Sequence, residues 1–169
     1  MKIFTKITQV TLLIFLLVAC SSTKNSSSDV KNSYSLELGD IAEDKVENLF
    51  NYLTQRYNFE ISRKDNYSST TGFYAETFWK EREPFDDEKE LGISKVQVKV
   101  ILTSKVARGK TGEFSASAVS YEVDSEVIQQ VLKVGSSDFV PFTYTDKGKD
   151  YVKNLSYELR DYVRGTLLR

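Results

Sequence analysis

The chain has 169 residues, of which 28% are charged, and its formal net charge at pH 7 is −1. It contains no histidine and one cysteine, which excludes a Ser-His-Asp triad, a histidine-based zinc site and an internal disulfide. The near-balance of charge gives none of the global basic character that marks nucleic-acid binding, so no nucleic-acid partner is expected. Ten tyrosines and ten phenylalanines, beside only two prolines, favour an ordered domain with an aromatic core.

The first twenty residues have the pattern of a secretion signal. Lys2 and Lys6 precede an apolar run over residues 12–18, and the small residue Ala19 follows it. The run is shorter than the roughly 20 residues that a membrane-spanning helix needs. The sequence Leu17-Val18-Ala19-Cys20 resembles the lipobox of bacterial lipoproteins. This resemblance implies cleavage before Cys20, a diacylglycerol on its sulfur and a further acyl chain, such as palmitate, on the new amino terminus.

The leader divides the chain into three predicted parts. Residues 1–19 are the predicted signal peptide, residues 20–34 the lipidated cysteine with a flexible tether, and residues 35–169 a single domain. The tether contains almost no apolar residue that could stabilise an ordered conformation. Removing Lys2 and Lys6 takes two positive charges from the net charge of −1 and leaves −3. In proteobacterial lipoproteins an aspartate after the cysteine favours inner-membrane retention, so Ser21 implies the outer membrane, or the cell membrane of a host with only one.

The domain begins with a predicted strand and an amphipathic helix. Residues 34–38 alternate as a strand does, and Gly39 then breaks the pattern. Asp40 with Glu43 has the form of a capping box. The helix that follows has one apolar face, because its apolar residues recur at spacings of three, four and seven; they are Val46, Leu49, Phe50, Leu53 and Tyr57.

A run of strands and a second amphipathic helix complete the pattern. Strands are predicted over residues 59–63, 72–80, 94–106 and 113–124, the last with a bulge near Ala118. Residues 126–134 fit a short helix or a strand, with helix favoured, and a final helix runs from about residue 146 to Leu168. We therefore predict an α+β fold, with an antiparallel sheet of about four to five strands and two amphipathic helices packed on one face.

No pattern for catalysis or for a cofactor emerges. Gly109-Lys110-Thr111 resembles the end of a P-loop, but Ser104 stands where that motif needs its first glycine. The acidic residues between 81 and 90 lack the spacing of a calcium loop and are interpreted as a solvated loop. Neither Ser-x-x-Lys nor Gly-x-Ser-x-Gly marks a nucleophile. We expect no enzyme activity, no metal and no cofactor.

Aromatic residues lie on both faces of the strand predicted over residues 72–80. Strand alternation places Phe73 with Trp79 and Tyr74 with Phe78 on opposite faces. Loops or termini could cover the pair that lies away from the helices. Alternatively Tyr74 and Phe78, with Tyr121, form a docking surface for an envelope protein.

Leader and domain together predict a lipid-anchored envelope protein. The element order resembles that of the small outer-membrane lipoprotein of lipopolysaccharide assembly, which implies a non-catalytic accessory or assembly factor facing the periplasm. The expected partners are the membrane, through the lipid on Cys20, and an envelope protein. The alternative is a module that binds a small apolar ligand or a lipid between the helices and the sheet.

Overall fold

A computed structural model describes residues 31–68, 71–107 and 119–167 of the chain. The strands are β1 Ser33–Ala42, β2 Ile61–Ser68, β3 Gly72–Thr77, β4 Lys80–Arg82, β5 Ile93–Val106, β6 Ser120–Lys133 and β7 Val140–Pro141. A 3-10 turn over Glu43–Lys45 leads into helix α1, Val46–Tyr57. Helix α2 is Asp86–Glu90 and helix α3 is Asp146–Leu167. The α+β prediction is confirmed.

All pairs in the sheet are antiparallel, and its order is β1-β6-β5-β3-β2. Strand β4 pairs with β5 alongside residues 96–98, beyond the stretch that β3 occupies. Strand β7 pairs with β6 at Gln130 and Val131, beyond the stretch that β1 occupies. These two short strands bring the sheet to seven strands in the described part of the chain, more than the four to five expected.

The core lies between one face of this sheet and the two long helices. Register places Val96 opposite Val131 and Val100 opposite Val127, so β5 and β6 bury the same face. Of the apolar residues predicted for α1, Val46, Leu49, Phe50 and Leu53 are buried there and Tyr57 is partly buried. The final helix α3 buries Val152, Leu155, Leu159 and Val163 against the same face. We call this the inner face of the sheet, and the opposite one the outer face.

Strand β1 is longer than predicted, and the break at Gly39 is wrong. The strand begins at Ser33, inside the predicted tether, and continues to Ala42. Its register shifts between Glu37 and Gly39, so Leu38 is an extra residue in a bulge. Bulging lets both Leu38 and Ile41 reach the core, where each is fully buried. Asp40 therefore lies in the strand rather than at a helix N-terminus, and the predicted capping box does not form.

Residues 126–134 fit a short helix or a strand in the sequence, and the strand is correct: residues up to Lys133 belong to β6, so the favoured helix is wrong. The strand pairs with β5 over nearly its whole length and buries Val127, Gln129 and Val131 on the inner face. As a strand between β5 and β1, these residues pair their backbone N–H and C=O groups with both neighbours. Four features lie outside the described residues: residues 108–112, the start of the strand predicted from residue 113, the predicted bulge near Ala118, and Leu168.

The charged stretch over residues 81–90 is not the solvated loop that its composition indicated. Arg82 ends β4, and residues 86–90 form helix α2. Glu88 is fully buried in this helix. The strand predicted over residues 72–80 is interrupted in the same region, since β3 ends at Thr77 and β4 begins at Lys80.

Candidate functional site

Solvent meets the outer face of the sheet across β5 and β6. Ion pairs bridge neighbouring strands there, with 2.9 Å between Lys105 Nζ and Glu122 Oε1 and 3.1 Å between Lys95 Nζ and Glu81 Oε2. Pairs as exposed as these contribute at most about 1 kcal/mol each to stability. These charged side chains keep the face hydrated. The part of the face that differs from this charged pattern is a group of aromatic residues around the end of β3.

Tyr74 and Trp79 lie on the outer face and are joined by two charged side chains. The Tyr74 hydroxyl donates to Glu76 Oε2 at 2.7 Å, and Lys99 Nζ lies 3.6 Å from Glu76 Oε1. The same ammonium lies 5.1 Å from the centroid of the Trp79 ring, which is within the range of a cation–π contact. The hydroxyl bond and the ammonium hold the pKa of Glu76 below its usual value, and the bond to Glu76 raises the pKa of Tyr74.

Phe78 is the exposed member of this aromatic group. It lies in the break between β3 and β4, its N–H donates to the Glu60 carbonyl at 2.8 Å, and 57% of the residue is exposed. The break also ends the alternation, so Trp79 does not share a face with Phe73 as predicted. Phe73 points inward, edge-on to Phe50 at 5.6 Å between ring centroids. We call Tyr74, Phe78 and Trp79 the aromatic corner.

Tyr121 was the third residue predicted for docking, and it is wrong for that role. It is fully buried on the inner face, opposite Ile41, with its ring 5.7 Å from that of Phe73. Its hydroxyl donates to Glu43 at 3.3 Å, and burial raises its pKa. Tyr121 alternates in step with Val123 and Val127, which are buried on the same face of β6.

A buried ion pair forms the second polar cluster of the domain. The Arg82 guanidinium binds Glu88 through two parallel hydrogen bonds of 2.6 and 2.7 Å, and donates to Gln129 Oε1 at 2.9 Å. The Arg82 side chain is 11% exposed and that of Glu88 is fully buried. The guanidinium carbon also lies 4.3 Å from the ring centroid of Phe85 and 5.1 Å from that of Tyr151. We call these residues the arginine cluster.

Helix α2 uses this cluster to hold the start of α3. Glu88 also accepts from the Phe85 N–H at 2.8 Å, and Asp87 accepts from the Lys147 N–H at 3.1 Å. Burial alone would raise the pKa of Asp87, but this hydrogen bond and one from Thr145 lower it. Sequence reasoning missed the cluster, although the acidic first turn of α2 is a signal of a helix N-terminus.

The charges of the arginine cluster are paired with each other. Arg82 and Glu88 neutralise each other, so the guanidinium is not free for an anionic substrate. Within residues 31–68, 71–107 and 119–167 no three side chains of the types His, Cys, Asp and Glu are grouped to hold a metal ion. In the same ranges, no helix combines the length and the hydropathy required to cross a bilayer.

Two surface depressions of about 310 and 350 Å³ are lined largely by polar side chains. The first lies between the ends of α1 and α3, beside Asn48 and Tyr162. The second lies on the outer face, beside Glu37, Asp124 and Glu126. Both lie outside the packed core between the helices and the sheet.

Cys20 lies outside the described residues. No protein-family model, curated protein or solved structure matches this chain. Fold and side-chain geometry therefore define only a class: an α+β domain with one sheet face under two helices and the other open to solvent.

Proposed function

We propose that this chain is a lipid-anchored envelope protein without catalytic activity, which binds an envelope protein through the outer face of its sheet. The observation that carries the proposal is an open sheet face with an exposed aromatic corner, joined to a leader that ends in Leu17-Val18-Ala19-Cys20. Two or more acyl chains are sufficient for stable anchoring. Ser21 after the cysteine favours the periplasmic side of the outer membrane, or the cell membrane of a host that has only one.

The aromatic corner supports protein binding because of what surrounds Phe78. Burying the exposed part of a phenylalanine is worth about 1–2 kcal/mol, and binding hot spots favour large rings. Tyr74 lies in β3 and Trp79 directly follows Phe78 in the break. The Tyr74 hydroxyl donates to Glu76 and the Trp79 ring contacts Lys99, and Glu76 and Lys99 form an ion pair. Preformed side chains lose little conformational entropy when a partner docks.

Anchoring is tested by replacing Cys20 with serine. The wild-type chain is expected to incorporate a labelled fatty acid and to float with membranes, whereas Cys20→Ser should accumulate as an uncut precursor without label. Normal cleavage and labelling of the variant would remove the lipid anchor from the proposal.

Docking is tested by a photo-activatable phenylalanine at position 78 in the native envelope. A matched probe replaces Tyr157, an exposed aromatic residue of α3 on the helical side of the domain. We expect a discrete adduct with one membrane protein from position 78 and its absence from position 157. Identical adducts from both positions, or none from position 78, would rule out docking through the aromatic corner.

The alternative, a ligand site between helices and sheet, has less support. The apolar core residues on both sides of that contact are at most 4% exposed, so a ligand would have to displace them. Both described depressions are shallow and partly polar, unlike the apolar pockets that small ligands favour.

A further inference from the structure

Three exposed apolar residues lie at one end of the sheet, where β5 begins and β6 ends. Val134 is 75% exposed, Leu91 54% and Val140 40%. The Val134 N–H donates to the carbonyl of Gly92, the residue after Leu91, at 2.8 Å. Val140, in β7, pairs with Val131 of β6, and Val131 lies three residues before Val134 in the chain. Isolated exposed apolar residues are ordinary, but a group at one end of a sheet marks a contact surface.

The segment from the predicted anchor joins the domain at this same end. Asn32 accepts from the Gln129 N–H at 2.9 Å and donates to the Gln129 carbonyl at 3.3 Å. The Tyr144 hydroxyl lies 2.9 Å from the Asn32 carbonyl, which fixes this junction further. Because β1 runs antiparallel to β6, the described chain from Ser33 back to Asn32 runs along β6 in the direction of Val134.

We propose that this end of the sheet, the membrane end (Leu91, Val134 and Val140), contacts the phospholipid surface. The inference rests on the proposed lipid anchor. Eleven residues lie between Cys20 and Asn32, and these twelve residue-to-residue steps span at most about 43 Å when fully extended. The membrane end lies on the side of the domain from which the described chain leads back toward the predicted anchor. Apolar side chains presented at a bilayer enter the boundary between headgroups and acyl chains.

Charges at the membrane end are mixed in sign. Lys89 and Lys147 both pair with Asp86, at 3.8 and 3.3 Å. Lys133 lies over the Phe142 ring at 5.2 Å. No net basic patch is available for anionic headgroups among these residues, so the apolar side chains carry the contact. We therefore expect the same insertion into neutral and into anionic vesicles.

The test uses the full acylated chain reconstituted into phosphatidylcholine vesicles. Acylated Cys20 is not reactive, so Val134→Cys provides one thiol for an environment-sensitive NBD label. Lys105→Cys is the matched control, since it lies about 40 Å away at the other end of the hairpin of β5 and β6. The label at 134 should show blue-shifted emission and protection from aqueous iodide, and the label at 105 should show neither. Leu91→Cys should behave like Val134→Cys.

The outcomes separate the two proposals. Labelling of the unsubstituted chain, or failure to float with vesicles, would overturn the lipid anchor and this inference with it. Flotation with identical spectra at positions 134 and 105 would overturn the membrane end alone. Protection at 134 that rises with protein concentration and needs no vesicles would show self-association instead, and would equally overturn it.

Discussion

The arginine cluster allows the sharpest test of what holds this fold together. Glu88→Ala removes the only carboxylate that the guanidinium of Arg82 contacts in the described structure, and it leaves a largely buried cation. Breaking a buried ion pair by removing one partner costs about 3–5 kcal/mol. Since Arg82 is 11% exposed and can recover some hydration, we expect the lower half of that range, about 3–4 kcal/mol.

Urea unfolding of the chain from Lys31 onward, followed by circular dichroism, measures this change. With a slope of about 2 kcal/mol per molar urea, the midpoint should fall by about 1.5–2 M. Glu90→Ala is the matched control, because Glu90 is an exposed acid on the same helix. That control should change stability by less than about 0.5 kcal/mol.

A double replacement separates charge burial from loss of packing. Arg82→Met with Glu88→Leu removes both charges and keeps apolar volume, and such replacements are often close to neutral. The double variant should therefore be more stable than Glu88→Ala. A Glu88→Ala midpoint within about 0.3 M of the Glu90→Ala midpoint would refute the reasoning, as the buried cation would then cost little.

Further predictions concern the core, a close strand contact and acid stability. Leu53→Ala should lower the free energy of unfolding by about 2–5 kcal/mol, because Leu53 is fully buried; a loss below half a kcal/mol in urea unfolding would contradict this. Gly72→Ala should destabilise the fold far more than Gly92→Ala, because a Cβ at Gly72 would lie 2.2 Å from a backbone oxygen. Gly92 also has a positive φ, but no heavy atom lies within 4 Å of a Cβ built there; equal melting temperatures of the two variants would contradict this prediction. Because the pKa of Glu76 is lowered in the folded state, its ionised carboxylate stabilises the fold above about pH 4.3, and this stabilisation is lost as the pH falls through the folded-state pKa. Tyr74→Phe removes the hydrogen bond that lowers this pKa, so the loss of stability on acidification should be smaller. Urea midpoints measured from about pH 6 down to pH 2 test this.

Elements that bury their own apolar stripe could be predicted from the sequence. Helix α1 repeats Val46, Leu49 and Leu53, and strand β5 alternates Val96 and Val98 with polar residues. In each case local periodicity and burial agree, so the pattern alone indicates the element. The α+β class follows from the order of these elements.

Residues whose environment depends on distant partners could not be predicted in this way. Gln129 is polar and fully buried, so it interrupted the apolar pattern of β6 and made residues 126–134 resemble a helix. Within the described residues, the side-chain oxygen of Gln129 accepts its hydrogen bond from Arg82, 47 residues away in sequence, and this bond offsets part of the cost of burying the amide. Glu88 was interpreted as a solvated acid for the same reason, since its partner is not visible in a local window.

The aromatic corner shows the same division. The sequence alone predicts large rings on both faces of one strand and a leader that ends at Cys20, because strand alternation and a linear processing signal need only neighbouring residues. Tertiary structure decided which rings are exposed: Tyr121 is buried because its ring packs on the inner face against Phe73, while the end of β3 at Thr77 moves Trp79 to the outer face and exposes Phe78. Exposure depends on which strands and helices pack together, and that is a property of contacts between residues far apart in the chain.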